Sequence, residues 1–462
     1  MPLGPIAVLT VLILVLTAFS TRAEPPRLVL SLEEAQAMAL THSPILKAAQ
    51  SDMAAAQKQV EVQLSMLLPR VTLDGSYFYQ TIVPQVSLFP GSSGFNFGTH
   101  NNYAVGPTVS YTLWDQGELM DAWRSQKFLA SSQAAQKDLA RRQVILIARL
   151  DYFQVQLALE QELAISDSLR LIEAQYRDIT KRFHAGSASQ IDRLSTHDQV
   201  LDRRRDLRSS QADVASALRT LFALTGQSQD LDVSAPIDAR IAGMRPSGLS
   251  TPTISVELDP LDSVEVKMVK ASSAPLDPNY PQVLVYKLQA EAGKFEAASI
   301  RDGEWPKLKF AYKGQYLYPE LPLVLNKSYW QNTASLNATV PILEFGRTKN
   351  QAAAQKLLAE ASESQSVQAL DDLLMNWHKA HDQYSALRDE EQLDQISVAE
   401  TAKIATLRYA SYKYGGSTIL DVETADINAL GARVSASLRR TQILIQLATL
   451  SSLSEMGDKN ER

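Results

Sequence analysis

Two carboxylates stand in matching settings. Asp192 and Asp421 each lie six residues past a glycine, Gly186 and Gly415, and nine past an aromatic, Phe183 and Tyr412. Small residues, among them Ser187, Gly416 and Ser417, fill the gap. A glycine in this place can take the left-handed backbone that ends a helix. A carboxylate just beyond it can accept the free amides that begin the next helix, so capping alone would explain both aspartates. His378 and His381, spaced i and i+3, could share a metal. No third histidine or carboxylate-rich pattern lies near them, so they read as a solvated helix face and no metal is expected. Asp202, Arg203, Arg204, Arg205 and Asp206 form a run of charge that also reads as a solvated face. There is no cysteine, which removes disulfides, thiolate metal sites and cysteine catalysis. No phosphate-cradling glycine loop, nucleophile elbow or paired-carboxylate motif occurs in context. No catalytic residue and no cofactor is therefore expected, and the chain reads as a non-enzyme. The net charge of -6 argues against a general nucleic-acid binder.

The elements that must carry Asp192 and Asp421 are long. From Glu118 to Phe183 there are 66 residues without proline or glycine, and from Arg347 to Tyr412 another 66. As helices each would reach about 100 Å, too long for an ordinary globular helix. Each ends in a turn, read at 184–190 and 413–418, and is followed by a shorter returning helix. The whole pattern occurs twice. Pro44 and Pro281, like Pro69 and Pro306, are 237 residues apart, whereas Gly117 and Gly346 are 229 apart. The difference of 8 residues falls in the loop between two strands, which is longer in the first copy. Internal duplication is the strongest signal in the chain.

Between the helices the period changes from 3.6 to 2, at about 71–80, 103–113, 308–318 and 330–340. One face of each run is apolar and aromatic and the other is polar. Ser31 with Glu34 reads as a capping box and Ser43-Pro44 as a second helix start. Residues 1–23 read as a secretory signal, with an apolar stretch from Ile6 to Phe19 and a cut before Glu24; a retained anchor is the other reading. The mature chain divides into a first repeat (24–226), a connector (227–278), a second repeat (279–455) and a tail (456–462). The connector holds six of the twenty prolines. Its two alternating pieces, Ile254, Val256, Leu258 and then Val264, Val266, Met268, predict a small β-hairpin around Asp259 and Asp262.

Strands of about ten residues with sorted faces suit a tilted membrane crossing. Tyr77, Tyr79, Tyr103, Tyr111, Tyr312, Tyr316, Tyr318 and Trp330 are candidates for aromatic girdles at the lipid interface. Four strands cannot close, and an open edge in hydrocarbon leaves backbone groups unpaired, so the barrel must be shared between chains. An open lumen wants three chains or more. The rival reading is a periplasmic coiled-coil scaffold, without a pore, whose strands form a soluble sheet.

The duplicated layout, the stretch from Leu30 to Leu40, Pro69 and Pro306 at strand entries, Val340 to Arg347 at a strand exit and the two Gly–Asp turns together resemble the TolC-like outer-membrane efflux proteins, over essentially the whole mature chain. The resemblance implies a mainly α fold with membrane β-structure: a homotrimer with a twelve-stranded barrel in outer-membrane lipid and a long α-helical barrel in the periplasm. It implies an exit duct for efflux or type I secretion. Such a duct passively conducts substrate from an inner-membrane pump (RND, ABC or MFS type) through a periplasmic adaptor. Asp421 then matches a ring carboxylate at the periplasmic aperture, which three copies would push up in pKa, and Thr424 stands where a second is found. Tyr412 and Asp192 match a closing latch, and Ser417 occupies the place of the latch arginine. Gly186, Ser187, Gly415 and Gly416 fall at the tips, where an adaptor docks. The connector is longer than such proteins usually need.

Overall fold

The computed structural model describes residues 27–83, 85–86, 89–90, 95–96, 99–227, 237–242, 254–319 and 327–454. The expected signal segment and the tail lie outside them. Strand β1 (Arg27–Leu30) leads into α1 (Leu32–His42) and α2 (Pro44–Met66). The helix starts are those expected. Ser31 and Glu34 form a complete capping box, and Ser43 Oγ accepts the Leu46 amide ahead of Pro44 at the first helical turn. Then come β2 (Arg70–Tyr79), the two-residue strands β3 (Gln85–Val86) and β4 (Phe95–Asn96), and β5 (Asn101–Trp114). Helix α3 (Glu118–His184) returns through α4 (Gln190–Thr225). The connector holds β6 (Ile237–Ile241), β7 (Ile254–Leu258) and α5 (Leu261–Ser272). The second copy is α6 (Pro281–Asp302), β8 (Lys307–Tyr318), β9 (Tyr329–Thr339), α7 (Arg347–Lys413) and α8 (Ile419–Leu453).

Strands β2, β5, β8 and β9 form one antiparallel sheet in that order. Its register aligns the apolar positions across all four strands. Val71 faces Val109, which faces Tyr312, which faces Ala334; Tyr77 faces Tyr103, which faces Tyr318. The other face carries Thr72, Thr108, Lys313 and Thr333 in one row. One sheet thus presents an apolar, aromatic face and a polar face, as period-2 alternation requires. Gly106 fits because it has no side chain: a Cβ there would lie 1.9 Å from the Gly314 carbonyl oxygen.

Helix α3 is the spine. It packs against α2 and α6 on the strand side, against α4 and α8 toward the tips, and against α1. Helix α7 packs against α6 and α8. The largest core lies midway along the bundle, where Tyr152 and Phe153 of α3 meet Leu218 and Leu221 of α4, Val256 and Leu258 of β7, and Ile443 and Leu447 of α8. Tyr152 donates to the Leu30 carbonyl at 2.9 Å and accepts the Asp259 amide at 2.8 Å, fastening β1 and the connector to the spine. Arg142 of α3 pairs with Asp277 at 2.6 Å and reaches the carbonyls of Ser452 and Ser454, which holds the end of α8.

The connector corrects the expected hairpin. β7 is central in a parallel sheet, β1–β7–β6, and the segment after Asp259 is helical. Leu261, Val264 and Met268 are buried on one face of α5 while Val266 is 71% exposed. Val264, Val266 and Met268 fit a period of 2 only because the window was short. Over twelve residues the buried positions follow helical spacing.

Candidate functional site at the hairpin tips

Both long helices end in the same way. Gly186 has φ of +74° and Gly415 of +80°, and a Cβ at either would meet nothing within 4 Å, so the backbone angle and not space demands glycine. Ser187 N–H returns to the Arg182 carbonyl at 2.8 Å and Gly416 N–H to that of Ser411 at 3.0 Å. These are Schellman closures. The next helix then opens with a capping box in each copy. Ser189 Oγ accepts the Asp192 amide while the Asp192 carboxylate accepts the Ser189 amide, and Thr418 and Asp421 repeat the exchange. Both aspartates therefore do cap their helices.

Only one of them also bridges the two hairpins. Asp192 Oδ2 accepts the Tyr412 hydroxyl at 3.0 Å, which joins α4 to α7. Burial pushes the Tyr412 phenol up to about 12, and the hydrogen bond to Asp192 adds to it. Asp421 is exposed, and its capping contacts with the Thr418 amide and hydroxyl hold it below the ordinary aspartate value in the single chain. Thr424 stands one turn further on the same exposed face, with its hydroxyl turned back to the Leu420 carbonyl at 2.8 Å. Glu423 points elsewhere and accepts a hydrogen bond from Ser195 of α4.

Ser417 does not join this contact: its Oγ is buried and has no hydrogen-bond partner. Arg182, at the end of α3, donates to the Lys413 carbonyl at 3.2 Å and to Asp178 at 3.2 Å. Asp178 also accepts the Tyr409 hydroxyl at 2.8 Å and lies 3.7 Å from Lys413 Nζ. Burial acts to raise Asp178, but Tyr409, Lys413 and Arg182 outweigh it and hold the carboxyl below its usual range. Asp178, Arg182 and Tyr409 were not singled out from sequence. The available signal was their spacing: Tyr409 precedes Tyr412 by one turn, and Asp178 precedes Arg182 by four residues, so each pair shares a helix face.

At the far end, Tyr103 stacks on Tyr318 with ring centres 5.2 Å apart, beside Tyr77 in register. Tyr79, Tyr316 and Trp330 belong to the same end of the sheet, remote from the long helices. Tyr111 faces Phe310 toward the helical end, and Tyr312 lies mid-strand with its hydroxyl on Asn332 at 2.8 Å. The aromatic residues therefore form one dense row at the far end and a sparse one near the helices. No described helix is long and apolar enough to cross a membrane. His378 and His381 flank Trp377, with His381 stacked on its ring at 5.6 Å, and no metal-binding group of three or more side chains occurs among the described residues.

The sequence profile of the outer membrane efflux proteins matches residues 36–227 and 278–454. The chain belongs to the outer membrane efflux protein family. The two matched stretches flank the segment that holds β6, β7 and α5. Solved structures share this efflux protein's fold at low identity. The outer membrane protein VceC of Vibrio cholerae aligns at TM-score 0.72 and 15% identity, over 91% of this chain and 95% of its own. A membrane protein of Pseudomonas aeruginosa aligns at 0.73 and 17%, over 92% and 93%. The CmeC outer membrane channel of Campylobacter jejuni aligns at 0.70 and 17%, over 93% and 88%. No curated protein matches the efflux protein by sequence. The fold is that of these outer-membrane channels, and the family is one of the outer membrane.

Proposed function

We propose that three copies of this chain form a passive exit duct of a tripartite efflux or type I secretion system. The observation that carries the reading is the open four-stranded sheet. Its faces are sorted into apolar and polar, and its outer strands β2 and β9 have no further partner among the described residues. In lipid those edges must pair, and pairing β2 of one copy with β9 of the next closes twelve strands around a polar lumen. The aromatic rows then sit at the lipid headgroups. Helix α7 supports the same assembly: Leu357, Leu358, Met375, Leu393 and Ile396 are exposed in the single chain, which suits a neighbouring copy against them.

At the tips, Asp421 and Thr424 of three copies would line the aperture. Like charges brought together would reverse the downward pull on Asp421 that capping exerts in one chain. The Tyr412–Asp192 contact acts as the latch, and Arg182 supplies the cation that Ser417 lacks. Gly186, Ser187, Gly415 and Gly416 offer exposed backbone for a periplasmic adaptor, which links the duct to an inner-membrane pump. The chain supplies no energy, and opening is an outward turn of the α7–α8 hairpin away from α3 and α4. Conductance in planar bilayers tests this. Purified protein is expected to form channels, and Asp421→Ala to change their cation preference. No channels at all would remove the duct, and an unchanged preference would remove the ring.

A further inference from the structure

The sheet of β2, β5, β8 and β9 carries few charges. Arg70 and Asp74 stand in β2 and Lys307, Lys309 and Lys313 in β8, while β5 and β9 have none. The register places every one of them on the polar face. Arg70 shares a row with Ser110, Ala311 and Ser335. Lys313 shares one with Thr72, Thr108 and Thr333, and Lys309 one with Thr112 and Asn337. Asp74 lies opposite Gly106, one row further from the helices than Lys313. Taken from the helical end, successive rows therefore hold Lys307, Lys309, Arg70, Lys313 and Asp74, about 7 Å apart. Lys307 is neutralised by Glu118 at the start of α3. Arg70, Lys309 and Lys313 are exposed and form no ion pair among the described residues. Asp74 accepts the Thr72 hydroxyl at 3.3 Å and meets no cation. The half of the polar face nearer the helices is thus positive, and its charge is not cancelled locally.

The inference rests on the shared twelve-stranded barrel proposed above, in which this face lines the lumen. Three copies turn each row into a ring, so three cationic rings in succession meet a single acidic one. A water-filled passage with low-dielectric walls focuses such a field and concentrates ions of opposite sign. Rings about 7 Å apart lie within one Debye length, about 10 Å at 0.1 M salt, and so act together. We propose that Arg70, Lys309 and Lys313 make the helical half of the barrel a cationic sleeve, which favours solutes bearing carboxylate or phosphate groups over cations of similar size. The duct then has zones of opposite sign, acidic at the Asp421 aperture and basic in the barrel. The aperture charges separate when the hairpins part. The sleeve is held at fixed radius by the strand ladders, so it keeps its field in the open duct and sets the preference there.

The test is the reversal potential of the purified full-length protein in planar bilayers under a potassium chloride gradient. Lys309→Gln with Lys313→Gln should lower the chloride-to-potassium permeability ratio at least about two-fold, in the wild-type and in the Asp421→Ala background alike. Lys309→Arg with Lys313→Arg keeps the charge and should keep the ratio. Asp74→Asn removes the acidic ring and should raise it, and this variant serves also if the glutamine pair fails to assemble. Citrate, a compact polyanion, should block the current, and the glutamine pair should relieve that block. Channels whose ratio is unmoved by the glutamine pair or by Asp74→Asn, whose ratio falls in the arginine pair, or whose citrate block persists in the glutamine pair would overturn the sleeve and leave the duct standing. No channels from any variant or from the wild type would remove both.

Discussion

Tyr412 and Asp192 show how a side chain can serve two structures. The Asp192 carboxylate closes its own helix start and, through the same oxygen, receives Tyr412 from the other hairpin. Removing the hydroxyl in Tyr412→Phe deletes one partly exposed hydrogen bond, at most about 1 kcal/mol, or about five-fold in the balance between joined and parted hairpins. Single-channel recordings should show a higher open probability in this variant, with unitary conductance unchanged. The phenol's pKa near 12 also sets a pH window. The neutral phenol is the donor, so the contact is whole below the ordinary tyrosine value near 10 and is lost as pH rises through about 12. Ultraviolet titration should lose a late phenolate step in Tyr412→Phe. Asp178 behaves oppositely. Its pKa lies below the aspartate value of 3.8, so its contribution is present above that pH and disappears as acid protonates it. Asp178→Asn should therefore loosen the hairpins at neutral pH and remove the part of the acid response that this group supplies, so that variant and wild type converge in acid, as read by proteolysis at the tips.

The elements differ in how much local pattern decides them. Helices α3 and α7 needed only an unbroken run without proline or glycine, closed by Gly186 and Gly415, which local geometry makes plain. Helix α5 looks like a strand in sequence because three apolar residues alternate within a longer helical spacing. Substitution can check that correction. Met268→Ala removes a buried side chain, 2% exposed, and should cost about 2–5 kcal/mol of local stability. Val266→Ala, on the exposed face, should stay within about 0.5 kcal/mol. Thermal melting of the connector followed by proteolysis separates the two, whereas a strand would put both residues on one face and make them matter alike. In the sheet, Gly106→Val would press a side chain into the Gly314 backbone and force β5 from β8. Heat-modifiable migration should show this variant failing to assemble.

At the scale of the molecule a single chain shows, among the described residues, a four-stranded sheet open at β2 and β9 and an exposed apolar face along α7. The absence of cysteine makes introduced thiols specific reporters. With Leu73→Cys in β2, one of Ala334→Cys, Leu336→Cys or Ala338→Cys in β9 should cross-link between copies and yield covalent trimers. Cross-links only within a chain, or dimers alone, would reject the shared barrel.

The duplicated layout, the long helices, the two-faced strands and the capped turns were legible in the sequence, because each depends on neighbours within a few residues along the chain. Asp192 and Tyr412 were legible for the same reason, as parts of matching turns. Only the tertiary structure decided that Arg182, Asp178 and Tyr409 complete the contact between hairpins, that Ser417 stands outside it, and that Asp426 is buried against Gln175 of α3. Those residues are far apart in sequence, or on helix faces that no local pattern distinguishes. What brings them together is the packing of α3 against α8 and the closing of both turns at one end of the bundle. The parallel sheet of β1, β7 and β6 belongs to the same class, since its strands meet only after the chain has passed through the whole first repeat.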